Sequence, residues 1–249
     1  MTHLISRSAL AFALSAAAVT SATPAAWGAN EQHERQVAAS STDPAAFPAR
    51  PVIDNKLLPW APGTKLVYDG EVVEDGEHLA HRVVIVVTDL VKIVDRVRTR
   101  IIFDRDISEG VLEESELAFQ AQDRDGTVWS LGEYPEEFED GTFVGAPSTW
   151  LSGVNRARAG ILIQAKPMVA GPSYSQGRAP DIDFADRAKV IDKGRRVCVP
   201  AGCFNDVWVV DEWDALDPSG GHQIKYHAPG VGVVFIKARG GDAQETLSL

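Results

Sequence analysis

Arg82 to Thr88 (RVVIVVT) and Val97 to Asp104 (VRTRIIFD) stand on either side of Val94-Asp95-Arg96, and this stretch decides the fold. The first segment is a nearly continuous β-branched apolar run, suited to a central strand covered on both faces. The second follows a turn-forming triplet, so the two are expected to pair antiparallel. Downstream, Glu114 to Asp123 (ESELAFQAQD) and Thr127 to Gly132 (TVWSLG) flank Arg124-Asp125-Gly126. Asp-Gly between two strands is a strong short-range hairpin signal. Upstream, Thr64 to Val73 (TKLVYDGEVV) alternates as a half-buried strand does. Gly141–Gly145, Ala185–Ile191, Arg196–Val199, Phe204–Trp213, His222–His227 and Val231–Lys237 complete a series of short strands broken by Gly, Asp and Pro. No long segment carries a 3.6-residue apolar stripe, and Gly153 to Gly160 is the best place for a short helical excursion. The expected class is therefore all-β and mainly antiparallel: one curved sheet or a partial or closed barrel, with one or two short helical segments.

The chain has 249 residues, 45% of them hydrophobic and 24% charged, which fits a globular protein and excludes fibrous, disordered and multi-span membrane classes. Residues 1–28 read as an export signal. Arg7 gives the positive start, Ser8 to Val19 (SALAFALSAAAV) is an apolar core too short to span a bilayer, and Ala26-Trp27-Gly28 offers a cleavage site after Gly28. A site near Ala22 is the alternative, and a short N-terminal core helix is the competing structural reading. No transmembrane span is expected. Arg7 is the only charged residue before Glu31, so 23 basic residues face 35 acidic ones afterwards, a net −12. That balance argues against nucleic acid and against an anionic membrane surface as partners. Residues 29–56, polar and rich in Ala, Ser and Pro, are expected to form a flexible tether. A β-rich domain over 57–237 and a loose tail over 238–249 follow; oligomeric state is left open.

Cys198 and Cys203 enclose Val199-Pro200-Ala201-Gly202, a spacing that puts two Cβ atoms on facing strands of a tight hairpin. With an export signal this favours a disulfide, against a redox pair or half of a zinc site.

Several segments taken together resemble a family of exported bacterial β-rich proteins of unassigned activity. They are Pro62-Gly63-Thr64, AQDRDGTVWSLGE (Ala121 to Glu133), the stretch Ser148 to Val154, Gly160-Ile161, Val199-Pro200-Ala201-Gly202 with Phe204, DEWDALDP (Asp211 to Pro218) and IKYHAPGVGVV (Ile224 to Val234). The chain departs from the family's usual text at Ser130-Leu131, at His227 and in its cysteine pair. The resemblance implies a secreted β-rich domain and lends no reaction.

For chemistry, Asp123, Asp125 and Glu133 are candidate ligands of a hard cation, calcium above all, beside the acidic run Glu136, Glu137, Glu139 and Asp140. An EF-hand would need oxygen ligands where Thr127 and Tyr134 stand, so a type I′ turn followed by a solvated acidic loop competes with that reading. No cofactor is called for otherwise. His78 and His81 lie three apart at a strand entry, and His222 and His227 lie five apart, a separation that places this second pair on opposite faces of a regular strand. Glu133 and Glu212 lie beside aromatics on predicted strands, where burial raises a carboxyl pKa toward general-acid duty. Trp129, Tyr134, Trp150, Trp213, Tyr226 and His227 are candidate ligand-binding residues, with core packing as the alternative for the aromatics. The functional expectation is a secreted or periplasmic binding module for an apolar or amphiphilic small molecule. A carboxylate-dependent hydrolase, with or without a divalent metal, and an envelope-associated interaction protein without a small ligand are the rivals.

Overall fold

The computed structural model describes residues 43–74, 76–242 and 244–249, so the expected signal and residues 29–42 lie outside the described residues. Fifteen strands share one antiparallel sheet. The first five are long: β1 Lys65–Glu74, β2 Glu77–Val94, β3 Val97–Ser108, β4 Val111–Gln122 and β5 Val128–Glu139. Five short ones follow: β6 Thr142–Gly145, β7 Trp150–Leu151, β8 Arg158–Ile163, β9 Tyr174–Ser175 and β10 Gly177–Arg178. The last five are β11 Asp186–Val199, β12 Gly202–Asp214, β13 His222–Ala228, β14 Gly232–Arg239 and β15 Gln244–Ser248. The path through the sheet runs β10-β8-β5-β4-β3-β2-β1-β15-β14-β13-β12-β11-β9.

The two ends of that path, β9 and β10, belong to one continuous segment, Tyr174 to Arg178, which pairs with β11 on one side and β8 on the other. The peptide N–H of Gln176 between them donates to Asp186 O at 2.8 Å. The sheet is thereby curled nearly to a closed barrel, which leaves few unpaired edges. Gly160 makes this closure sterically feasible, because a Cβ there would sit 2.1 Å from the backbone carbon of Gln176.

The opening hairpin forms as expected. Val94 faces Val97, and Asp95 and Arg96 take φ of 45° and 67°, the two positive values of a type I′ turn whose twist matches the strands. Cys198 and Cys203 face each other across the β11–β12 turn and are disulfide-bonded, their Cα atoms 4.0 Å apart.

Four expectations need correction. Residues 43–56 are not a tether: Phe47 and Ile53 are buried, and Arg100 Nη2 donates to Pro51 O at 2.7 Å. Gln122 Oε1 accepts from the peptide N–H groups of Asp54 and Asn55. This strap has no periodic pattern because irregular backbone docks through scattered side chains and caps. Residues 238–249 are not a loose tail, since β14 extends to Arg239 and β15 inserts between β1 and β14, with Leu247 fully buried. Residues 153–157 form turns rather than a helix, and β8 begins at Arg158; among the described residues helical geometry occurs as two 3-10 turns, Pro44–Ala46 and Pro180–Ile182. Finally, Ala185–Ile191 and Arg196–Val199 belong to one strand, β11, broken by register shifts.

Candidate functional site

Strand alternation and register decide what fills the barrel. On β2 the inward series is His81, Val83, Ile85 and Val87; across from it on β3 stand Ser108, Asp106, Asp104 and Ile102; and on β4 Glu114, Glu116 and Ala118 face the last three. Ile85, Ile102, Tyr68, Val190, Val210, Val233 and Ile163 make an apolar layer of the main core. The same inward face then turns acidic. Asp104, Asp106, Glu114, Glu116, Glu133, Asp186, Glu212 and Glu245 are all buried, none more than 8% exposed. Two buried basic groups stand among them. Lys225 Nζ lies 2.5 Å from Glu212 Oε2, and His81 Nε2 lies 3.1 Å from Asp106 and 3.3 Å from Glu245, both oblique as hydrogen bonds. Asp211, also buried, is answered separately by His222 and Arg239.

An enclosed carboxylate excess resists ionisation. Burial, reinforced by the Asp106 charge, pushes Asp104 up to about 8. Burial and then Asp104, Asp106, Glu133 and Glu137 push Glu114 up to about 9, and burial raises Glu116 and Asp186 well above the usual carboxylate range. Glu133 is raised by burial to about 8 despite accepting a 2.8 Å hydrogen bond from Trp150 Nε1. For His81 burial alone would act downward, but Asp106 and Glu245 outweigh it and hold the imidazole near 10. His227 goes the other way, down to about 4, because it is buried. Its Nδ1 lies 3.1 Å from Leu57 O; a carbonyl can only accept, so Nδ1 carries the proton and Nε2 is left as an acceptor.

Between the apolar and acidic layers lies a cavity of about 60 Å³. Leu58, Trp60, Ile85, Ile102, Ile163 and Val233 line its apolar side, and Asp104, Glu116, Gln176, Glu212, Lys225 and His227 its polar side. This is room for a compact group of a few heavy atoms; drug-sized ligands occupy roughly 300 Å³ or more.

Of the residues singled out in the sequence, Glu212 and His227 line this cavity and Glu133 belongs to the surrounding acidic layer. The others are elsewhere. Trp129 packs in a second core cluster with Phe47 and Phe119, on the opposite face of the sheet, and Tyr134 leans on the same cluster. Trp150 stacks on Phe184 at 5.2 Å while it caps Glu133. Trp213 stacks on His222 outside the barrel, and Tyr226 tilts against Phe235. Asp123 is a turn residue: its carboxylate accepts from the peptide N–H groups of Asp125 and Thr127 and from Trp129 Nε1. Asp125 is exposed, and Glu133 is spent on Trp150, so the three proposed cation ligands are not brought together. Among the described residues no group of three or more His, Cys, Asp or Glu is placed to hold a metal ion. Asp104, Asp106, Glu114, Glu116, Gln176 and Lys225 went unmarked in the sequence. For the four carboxylates the one signal is parity with Ile102 and Ala118, which puts them on the inward face.

No family model and no curated protein matches the sequence. Among solved structures, a protein from Bacteroides fragilis described as exported and YmcC-like in fold is similar with a TM-score of 0.39 and 12% identity, over 77% of this chain and 96% of that chain. A protein from Parabacteroides distasonis described as a lipoprotein gives 0.35 and 9%, over 78% and 96%. Likeness at this level assigns no chemistry.

Proposed function

We infer that the protein is a binding module whose barrel interior receives the end of a small amphiphilic molecule. The observation that supports this is the two-sided cavity: an apolar wall of Trp60, Ile85 and Ile102 faces a polar wall of Asp104, Glu116, Gln176 and His227. Empty cavities in protein cores are ordinarily apolar throughout, and polar ones are filled with water or ligand. Its size narrows the expectation drawn from sequence, because only a head group or short chain fits. Export to the periplasm or beyond belongs to this reading and rests on the sequence of residues 1–28.

The experiment is native mass spectrometry of the protein purified from its own host, followed by denaturation and identification of what is released. A stoichiometric small-molecule adduct, lost on Ile102→Trp substitution that fills the cavity, is the expected result. A bare mass, together with unchanged thermal stability across a panel of short amphiphiles, would remove the reading. Raised carboxyl pKa values also favour a carboxylate-dependent hydrolase. Turnover of ester or glycoside substrates that disappears in Glu116→Gln would replace binding with catalysis.

A further inference from the structure

Several unsatisfied polar atoms around the cavity are acceptors. Gln120 Oε1, Gln176 Oε1 and His227 Nε2 are buried without a hydrogen-bond partner, as are Asp104 Oδ1 and Glu116 Oε2, which become pure acceptors once a bound cation holds their carboxyls ionised; Trp60 Nε1 is an unpartnered donor among the described lining residues. For two of these atoms the role is fixed by what the rest of the side chain does. Gln176 Nε2 donates to Glu212 Oε1 at 3.0 Å, a carboxylate that can only accept, so its oxygen is the atom left over. His227 Nδ1 is committed to Leu57 O, so Nε2 presents a lone pair. Gln176 is 1% exposed and His227 3%. Buried acceptors without donors are costly unless water or a ligand supplies the donors. Neutral acceptors from β13 and from the closing segment thus point to the same ligand chemistry as the carboxylates of β3 and β4.

Resting on the amphiphile reading above, we propose that the polar wall of the barrel cavity is a recognition site for an organic ammonium group, and that the ligand is a compact primary amine with a short apolar tail. An ammonium brings three N–H donors and one positive charge on a tetrahedral centre, which fits acceptors converging from several strands. The interior already stabilises one such group, since Lys225 Nζ is held against Glu212. A short alkyl tail would lie along Trp60, Ile85 and Ile102.

The test is an NMR titration of the full chain at pH 8 with n-butylammonium, 1-butanol and butyrate, which share one tail, read on the Trp60 indole N–H and the His227 ring. The amine is expected to bind about ten-fold or more tightly than the alcohol, the margin of charge-assisted over ordinary hydrogen bonding, and butyrate not to bind. Asp104→Asn should weaken the amine about ten-fold while raising the melting temperature, a pair of opposite signs that misfolding cannot imitate. Gln176→Leu should weaken the amine and leave the alcohol unchanged. Equal binding of amine and alcohol, or preference for butyrate, overturns the ammonium proposal and leaves the amphiphile reading standing. Binding of none of the three overturns both, and saturable calcium or zinc binding without amine binding replaces the proposal with a metal site.

Discussion

Lys225 and Glu212 form an ion pair inside the barrel, Nζ to Oε2 at 2.5 Å, with side chains 8% and 10% exposed. Lys225 also lowers the cost of ionising Asp104, Glu116, Asp186 and Glu245. Lys225→Met is therefore expected to destabilise the fold by about 3–5 kcal/mol in urea unfolding, since it strips the counter-charge from a buried carboxylate. Pairing it with Glu212→Gln should recover part of the loss, giving a non-additive double-mutant cycle. Additive effects would mean the pair is not coupled.

Stability should fall as pH rises, contrary to the habit of proteins whose carboxylates are salt-bridged. Asp104 and Glu133 have folded pKa values of about 8 and Glu114 of about 9, above their unfolded values, so the folded state holds extra protons from about pH 4 upward. That contribution is lost as pH climbs through 8 to 9. His81 acts in the same direction: raised to about 10, it stabilises fully below its unfolded value of 6.5 and loses that as pH approaches 10. His227, lowered to about 4, opposes them between pH 4 and 6.5. The steepest decline is thus expected between pH 6.5 and 9, read as melting temperature against pH. A flat or rising profile there would contradict it.

Asp104→Asn should flatten that profile. Asp106 on its own strand, His81 on β2, Glu116 and Glu114 on β4 and Lys225 on β13 are the charged groups that act on it or feel it. At pH 9 the amide should stabilise by about 2–4 kcal/mol, and at pH 3, where the acid is protonated in the folded and unfolded states alike, by close to nothing. Equal effects at both pH values would assign the change to packing.

Gly160→Ala tests the closure. The new methyl would meet the Gln176–Gly177 peptide, whose carbon and nitrogen lie 2.1 and 2.2 Å from the Cβ position, and backbone cannot rotate away as a side chain can. A loss of about 3 kcal/mol is expected, with faster amide exchange concentrated at Gln176 and Ala179.

The disulfide should matter little. Its loop is short, so the chain-entropy model allows about 2 kcal/mol, and Cys198→Ser with Cys203→Ser should shift the melting temperature by only a few degrees. Loss of folding in the double variant would show a larger role for this hairpin.

The strands and the two hairpins were readable in the sequence because their signals are local: alternation, Asp-Gly, a cysteine pair across a Pro-Gly turn. The strap at 43–56 and the strand at 244–248 were not, since each is held by partners far along the chain, Gln122 and Arg100 for one, β1 for the other. The site was legible only in part. Glu212 and His227 were marked for reasons of neighbourhood, but Asp104 and Glu116 were not marked, because charge at alternate positions normally signals the wet face of a sheet. In this barrel the charge is on the inside, and register across β2, β3 and β4 is needed to see it.

β1 pairs on one side with its neighbour in the chain and on the other with β15, where Gly70 lets Thr246 O come within 1.8 Å of the Cβ position an alanine would fill. A chain emerging from the ribosome therefore holds β1 half-paired until residue 248 has been made. Until then His81 and Asp106 lack Glu245, and the carboxylates of β3 and β4 stand in water at their ordinary acidity. Closure on that side is consequently late, because the pairing of β1 with β15 spans nearly the whole domain. The protons that the finished interior retains are taken up as the last strand docks.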